Sequence, residues 1–64
     1  MIAKTKDYIY IFEFKYDQNA ETALRQIEEK GYAAPFAADS RKLYKVGVNF
    51  NRKKRCIDDW KVTV

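Results

Sequence analysis

Residues 7–16, which read DYIYIFEFKY, are the stretch that determines how the rest of the chain can fold. A run so rich in β-branched and aromatic residues predicts a β-strand. Successive side chains of a strand point to opposite faces, so one face carries four rings, those of Tyr8, Tyr10, Phe12 and Phe14. The opposite face carries Ile9, Ile11, Glu13 and Lys15. Because both faces are apolar over most of their length, we expect a central strand covered on both sides, with an acid and a lysine at its far end.

An amphipathic helix is predicted directly after this strand. Asp17 or Asn19 can cap its N-terminus, and Gly31 ends it, with Lys30 in the last turn. The apolar positions follow the spacing of one helical face: Ala20, Ala23, Leu24 and Ile27. Residues 32–38 contain Pro35 and predict a turn or a short helical segment, and residues 39–41 predict a loop.

Two more strands complete the predicted fold. Residues 42–50 (KLYKVGVNF) place Tyr44, Val46, Val48 and Phe50 on one face, and residues 56–64 form the last strand. A helix between two strands predicts a right-handed crossover with parallel pairing, and the short link at residues 51–55 predicts an antiparallel hairpin. We therefore expect an α/β fold in the order strand-helix-strand-strand, with a small mixed sheet, the helix on one face and no element on the other.

The composition limits the size and class of the protein. With 64 residues, the chain holds one domain at most,, and a domain this small is marginal without disulfides, metals or a partner. Cys56 is the sole cysteine and there is no histidine, so an intrachain disulfide and a structural zinc site are excluded. The 47% hydrophobic and 16% aromatic content argues against a disordered chain,. We expect a folded piece that depends on a second copy or on a segment outside these residues.

The charge and the hydropathy pattern indicate where the protein acts. A formal charge of +4 permits binding to nucleic acid, DNA or RNA, without requiring it,. No apolar run approaches the ~20 residues that span a membrane, and residues 1–6 lack the apolar stretch of a signal peptide,. The cysteine content fits the reducing cytoplasm. We expect a cytoplasmic protein without a membrane segment.

The sharpest motif is Ile11-Phe12-Glu13-Phe14-Lys15, an apolar strand that ends in acid-x-lysine and is followed by a helix and a second strand. This pattern resembles the PD-(D/E)XK nuclease superfamily. Residues 8–36, 42–50 and 57–62 look closest to a bacterial branch in which a nuclease-like domain follows an AAA-type ATPase domain. The resemblance implies that residues 1–64 are a single incomplete nuclease-like domain, the C-terminal half of a restriction-endonuclease-like core.

The resemblance also implies a chemistry, the metal-dependent hydrolysis of a phosphodiester bond. Such hydrolysis uses a hard cation to bind phosphate and activate water, and Mg²⁺ prefers oxygen ligands. By resemblance, the Glu13 carboxylate and the Phe14 carbonyl would hold Mg²⁺. Lys15 would orient the attacking water or offset charge in the transition state. Gln26, on the helix, would face the site as a glutamine does in some relatives.

One element of the family pattern is missing. The family requires an aspartate on a neighbouring strand that precedes the acid-x-lysine strand, and Asp7 is the sole acidic residue before Glu13. Six residues of strand separate the two by about 20 Å, too far to share one metal ion. We therefore expect the isolated chain to be inactive, as a fragment that would dock with the absent N-terminal part of its domain.

Other interpretations of the same residues remain open. Glu13 and Lys15 could form an ordinary surface ion pair. The basic turn, Arg52, Lys53, Lys54 and Arg55, could bind the phosphates of a nucleic acid or simply be solvated. Tyrosines such as Tyr8, Tyr10 and Tyr44 fit core packing better than base stacking, and Cys56 is expected to be half-buried. A free edge on the first strand would let the chain act as a self-associating homo-oligomer.

Overall fold

A computed structural model describes all 64 residues as one four-stranded sheet with a helix on one face. The elements are β1 (Ile2–Lys4), β2 (Tyr8–Tyr16), α1 (Ala20–Glu29), a short 3₁₀ turn (Ala34–Phe36), β3 (Lys42–Asn51) and β4 (Cys56–Thr63). The strands lie in the order β1-β2-β3-β4. β2 and β3 are parallel, and the two outer pairs are antiparallel. The predicted small mixed sheet with α/β architecture is confirmed, with one additional strand.

The additional strand, β1, pairs with the first half of β2. Its three residues are too few for a periodic pattern, so no local signal predicts this strand. The pairing runs from Ile2 opposite Ile11 to Lys4 opposite Ile9, and both backbone groups of Phe12 bond to Met1. The prediction that the whole edge of the first strand is free was therefore wrong, since that edge is open only beyond Phe12.

The helix begins and ends at residues that the sequence marks. Asn19 is the N-cap, and its side chain accepts a 2.8 Å hydrogen bond from the amide of Thr22. Asp17 lies outside the helix with a φ of 55°. Lys30 caps the C-terminus, and Gly31 follows with a φ of 64°, a left-handed conformation that favours glycine,.

The hydrophobic core is almost entirely on one side of the sheet. Five of its six buried apolar residues lie between helix and sheet: Ile9, Ile11, Ala20, Ala23 and Ile27. Val48 is the one buried apolar side chain that points to the other side. Within these 64 residues the helix covers one face of β2 only, and the expectation that no element lies on the other face is confirmed.

This second side, which we name the aromatic face, is formed by alternate residues of β2, β3 and β4. Its members are Tyr8, Tyr10, Phe12, Phe14, Tyr16, Tyr44, Val46, Val48, Phe50, Ile57, Trp60 and Val62. Tyr8 is 41% exposed and Trp60 is 67% exposed. Tyr10 and Tyr44 are half-buried only through contacts with neighbouring rings. The predicted core packing of these tyrosines is thus replaced by a partly exposed surface.

A β-bulge shapes the hairpin of β3 and β4. The pairing shifts between Asn49, opposite Asp59, and Phe50, opposite Ile57, which leaves Asp58 as an extra residue. A bulge redirects the side chain of the extra residue. Cys56, at the start of β4, is exposed rather than half-buried as predicted.

Candidate functional site

Glu13 and Lys15 lie at the carboxyl end of β2, on the face that the helix covers. Both side chains are half-buried. The register of the parallel pair places Glu13 beside Gly47 and Lys15 beside Asn49 of β3. Since residues two apart on a strand share a face, the acid and the lysine emerge on one side of a strand inside the sheet.

Lys15 reaches across the interface between sheet and helix. Its Nζ donates a hydrogen bond to Oε1 of Gln26 on α1. No carboxylate oxygen of Glu13 lies within 4.0 Å of the Lys15 ammonium, since the ion pairs of the protein involve other residues. The interpretation of Glu13 and Lys15 as an ordinary surface ion pair was therefore wrong, and Lys15 and Gln26 form the contact instead.

The backbone of β2 places the Phe14 carbonyl at an open edge. The carbonyls of Tyr8 and Phe12 both accept hydrogen bonds on the side of β1, whereas the amide of Asp17 bonds to Phe50 on the side of β3. Alternate residues of a strand direct their backbone groups to opposite neighbours. Phe14 therefore points its carbonyl past the end of β1, where no strand residue lies opposite.

These groups meet part of what a hard cation requires. The Glu13 carboxylate and the open Phe14 carbonyl are the oxygen donors that Mg²⁺ prefers. Nowhere do three acidic, cysteine or histidine side chains come together as a metal-binding cluster. The surface also has no concave pocket, so these residues by themselves do not enclose a site around Glu13 and Lys15.

Asp7 lies at the opposite end of β2 from Glu13. It immediately precedes β2, and its carbonyl accepts a 3.1 Å hydrogen bond from the amide of Lys42, the first residue of β3. The first five residues of β2, Tyr8 to Phe12, thus separate the two acidic residues. This placement agrees with the expectation that Asp7 cannot serve as the second acidic ligand.

A polar network that was not predicted from the sequence lies beside Lys15. Asn49 is 2% exposed. Its Oδ1 accepts a 2.8 Å hydrogen bond from the amide of Gln18, and its Nδ2 donates to Asp58 at 2.8 Å. Asn51 donates to the other oxygen of Asp58, and these two side-chain bonds lower the pKa of the Asp58 carboxyl. The alternation of β3 places Asn49 and Asn51 on the same face as Leu43 and Gly47, next to the core, but it does not identify Asp58 as their partner.

Asp59, a second acid of the same hairpin, accepts a hydrogen bond from the N-terminus of α1. Asp59 Oδ2 accepts a 2.8 Å hydrogen bond from the amide of Ala20. This carboxylate therefore satisfies one of the free amides in the first turn of α1, where negative charge is favourable. The adjacent acids in the IDDW stretch thus fix the bulge and the helix N-terminus, which together position α1 and Gln26 over the sheet.

Of the four basic side chains in the turn, one forms an ion pair and the other three do not. Arg52 donates from its backbone amide and Nε to the Asp17 carboxylate, at 3.0 and 2.8 Å, and these bonds lower the pKa of Asp17. Lys53, Lys54 and Arg55 are exposed and form no ion pair. Because Tyr16 pairs with Phe50, this turn lies at the same end of the sheet as Lys15.

Comparison with known proteins identifies the family. An uncharacterised protein from the vnfD 5' region of Azotobacter chroococcum mcd 1 is 36% identical over 52 residues, which is 78% of this chain and 10% of that protein. The chain thus spans about a tenth of that relative's length. No solved structure matches the chain, and no helix is long and apolar enough to cross a membrane. Residues 1–60 match the PD-(D/E)XK nuclease superfamily over nearly the whole chain, and the protein belongs to that superfamily.

Proposed function

We propose that residues 1–64 form an incomplete nuclease domain of the cytoplasm, in which Glu13, Lys15 and Gln26 belong to a site for Mg²⁺-dependent phosphodiester hydrolysis. The observation that carries this proposal is the contact between Lys15 and Gln26 beside Glu13, at the carboxyl end of an inner strand. Membership of the PD-(D/E)XK superfamily supports the same chemistry, because its enzymes generally depend on a divalent metal ion.

Each residue has a role that its position permits. Bound Mg²⁺ would polarise the phosphate and activate water. The Glu13 carboxylate and the Phe14 carbonyl would hold the metal from the open edge of β2. The hydrogen bond from Lys15 to Gln26 fixes the ammonium group on the Glu13 side of the sheet, where its charge can stabilise a pentavalent phosphate or orient the attacking water.

The site as it stands lacks a second carboxylate. One carboxylate and one carbonyl leave a Mg²⁺ ion weakly held, since such sites commonly use one or two carboxylates together with the substrate phosphate. We therefore propose that residues 1–64 alone are inactive. The register of β1 and β2 supports one position for the missing acid: Met1 lies opposite Phe12, so a residue immediately before Met1 would lie opposite Glu13.

An N-terminal extension tests this proposal directly. Opposite residues of an antiparallel pair share a face, with Cβ atoms about 5 Å apart. An extension that adds a single strand position, an aspartate immediately before Met1, would bring a second carboxylate next to Glu13 and leave the Phe14 carbonyl unpaired,. We expect this variant to cleave a labelled oligonucleotide, DNA or RNA, in the presence of Mg²⁺ and not in the presence of EDTA.

The matched control carries asparagine instead of aspartate at the same position, which keeps the shape of the side chain and removes the second carboxylate. This control and the extended chain carrying Glu13→Gln or Lys15→Met should both be inactive. Cleavage that persists with Glu13→Gln would assign the activity to another site or a contaminant. An inactive, folded extension that also fails to bind Mg²⁺ in calorimetry would contradict the proposed site.

A second candidate function is the binding of nucleic acid without catalysis. The observation in its favour is that Lys53, Lys54 and Arg55 are exposed and unpaired at one end of the sheet. Cations of this kind attract a phosphate backbone. The two functions are compatible, because the turn lies at the same end of the sheet as Lys15.

A further inference from the structure

Arg41 and Arg52 are both paired with an aspartate, but only Arg41 uses its whole side chain in the pair and its surroundings. Arg41 donates from Nε and Nη2 to Asp39 and from Nη1 to the Thr5 carbonyl. Arg52 donates from its backbone amide and Nε to Asp17, and neither Nη1 nor Nη2 donates a hydrogen bond to the protein. The side chain of Arg41 is 28% exposed and that of Arg52 is 69% exposed. The outer edge of the Arg52 guanidinium is therefore accessible to a ligand.

This outer edge is held in a fixed direction. Asp17 accepts two bonds from Arg52, and the Tyr16 ring centroid lies 5.8 Å from the guanidinium carbon, within the range of a cation–π contact. The turn itself is also ordered, since Asn51 Oδ1 accepts a 2.9 Å hydrogen bond from the amide of Lys54. A guanidinium that is oriented in advance loses less conformational entropy on binding than a free side chain does.

The chemistry of the turn fits an anion that repeats along a chain. The planar pair of terminal N–H donors on a guanidinium binds two oxygens of one phosphate or carboxylate. Asp17 offsets the charge of Arg52, so Arg52 contributes direction more than net attraction. The attraction comes from Lys53, Lys54 and Arg55, which are exposed and form no ion pair. Several cations in successive positions suit a nucleic acid, which is bound by neutralising several phosphates.

Arg52 lies at the end of the sheet that carries Lys15. Its partner Asp17 follows Lys15 by two residues, at most about 7 Å of extended chain. Along one strand of a duplex the charges recur about every 3.4 Å, so a strand bound at Arg52 would bring another phosphate to Lys15 within a few nucleotides. We propose that Arg52 positions a nucleic acid substrate by binding one phosphate of its backbone through Nη1 and Nη2. This inference takes its ligand class from the proposed function.

Exchange of arginine for lysine separates direction from charge, because lysine keeps the charge and loses the planar pair of donors. Fluorescence anisotropy of a labelled DNA duplex, in EDTA and at several salt concentrations, measures binding without cleavage. We expect Arg52→Lys to weaken binding about tenfold, the contribution of one charge-assisted hydrogen bond. The slope of log affinity against log salt should stay unchanged, since the number of cations is the same. Arg55→Lys is the matched control in the same turn and should change the affinity little, because no ion pair orients Arg55.

The unmodified chain provides a second measurement. In NMR spectra of the ¹⁵N-labelled chain, the Nε–H signal of Arg52 should shift when the unlabelled duplex is added. The Nε–H signal of Arg41 should not shift, because all three nitrogens of its guanidinium donate within the protein. This comparison needs no variant, so it decides the matter even if Arg52→Lys alters the turn.

Three results would overturn the inference: equal losses of affinity in Arg52→Lys and Arg55→Lys, an Arg52 signal that does not move while the duplex binds, or no binding of the duplex at low salt. Inorganic phosphate or polyglutamate that competes as well as unlabelled duplex would assign Arg52 to a free anion or an acidic protein instead. Glu13→Gln should bind the duplex as the wild type does. A chain that binds through Arg52, but whose aspartate extension fails to cleave, would contradict the nuclease site and not the role of Arg52.

Discussion

Gly47 of β3 lies directly beneath the carbonyl oxygen of Ala20, the first residue of α1. A Cβ atom at Gly47 would stand closer to that oxygen than real Cβ atoms approach, and it would also crowd Leu24 and Ala23 at 3.0 and 3.1 Å. The backbones of strand and helix can approach this closely only because no side chain separates them. Gly47 is also the neighbour of Glu13 in the sheet, so it sets the distance of α1 from the site.

The first prediction concerns this close approach. Gly47→Ala should lower the free energy of unfolding by about 1–3 kcal/mol, the usual cost of overpacking. Gly31→Asn is the control, because Gly31 has open space around it and asparagine tolerates its left-handed backbone,. Urea unfolding followed by circular dichroism measures both. Equal stabilities for Gly47→Ala and the wild type would mean that α1 can move away from the sheet without cost.

The buried network around Asn49 yields a second prediction. Asn49→Ala leaves the amide of Gln18 and the Asp58 carboxylate without their buried partner, and it should cost about 1–3 kcal/mol,. Asn51→Ala removes one exposed 3.1 Å bond to the same carboxylate and should cost much less,. Urea unfolding compares the two variants. Equal costs would show that the burial of Asn49 is unimportant.

A third prediction concerns acid stability. Hydrogen bonds from Arg41 lower the pKa of Asp39 from 3.8 to about 2. Because the folded pKa is depressed, this ion pair stabilises the fold fully above the unfolded pKa. The stabilisation is lost as the pH falls through the interval from 3.8 to about 2,. Asp39→Asn and Arg41→Met should each make the unfolding free energy less dependent on pH in this interval.

Urea unfolding at a series of pH values from about 5 downwards measures this dependence. The series begins above the ordinary Asp39 pKa of 3.8, where the pair of Asp39 and Arg41 contributes its full stabilisation. Asp17 and Asp58 also have lowered pKa values, so some acid sensitivity should remain in both variants. An Asp39→Asn profile parallel to that of the wild type throughout would show that the pair of Asp39 and Arg41 does not form in solution.

The fourth prediction concerns the basic turn. If Lys53, Lys54 and Arg55 contact phosphates of duplex DNA, their triple replacement by alanine should reduce the slope of log affinity against log salt by about 2–3. A matched variant replaces Lys6, Lys30 and Lys42, which removes the same charge from the opposite end of the sheet. Fluorescence anisotropy at several salt concentrations compares them. Equal losses in both variants would indicate attraction by net charge alone.

Much of the fold could be predicted because its signals are local. The alternation in residues 7–16, the cap at Asn19 and the left-handed Gly31 each act over a few residues, and the structure has them as predicted. β1 could not be predicted, since three residues become a strand only through bonds to a distant partner. The element order predicted a sheet face without a covering element, but the partial exposure of the tyrosines was not predicted, because an apolar alternation is the same whether or not a layer covers it.

Part of the candidate site could also be predicted from the sequence. The placement of Glu13 and Lys15 on one face follows from the period of a strand, and the bond between Lys15 and Gln26 agrees with the expected position of Gln26. The role of Asn49 and Asp58 depends on a bulge that pairs residues across a hairpin. The hydrogen bond from Arg52 to Asp17 joins residues that are 35 positions apart in the sequence. No local pattern encodes such contacts.

The parallel ladder between β2 and β3 has a consequence for the order of folding. Every residue pair in this ladder has the same sequence separation as Tyr8 and Lys42. The residues paired in the two antiparallel hairpins are much closer to one another in the sequence. Loop closure must precede such long-range contacts, which slows folding. During synthesis, the two terminal hairpins can therefore form separately, but the ladder waits until β3 leaves the ribosome. Until then Ile9 and Ile11, which are buried in the folded chain, stay exposed, and nascent chains should be open to aggregation or to chaperones.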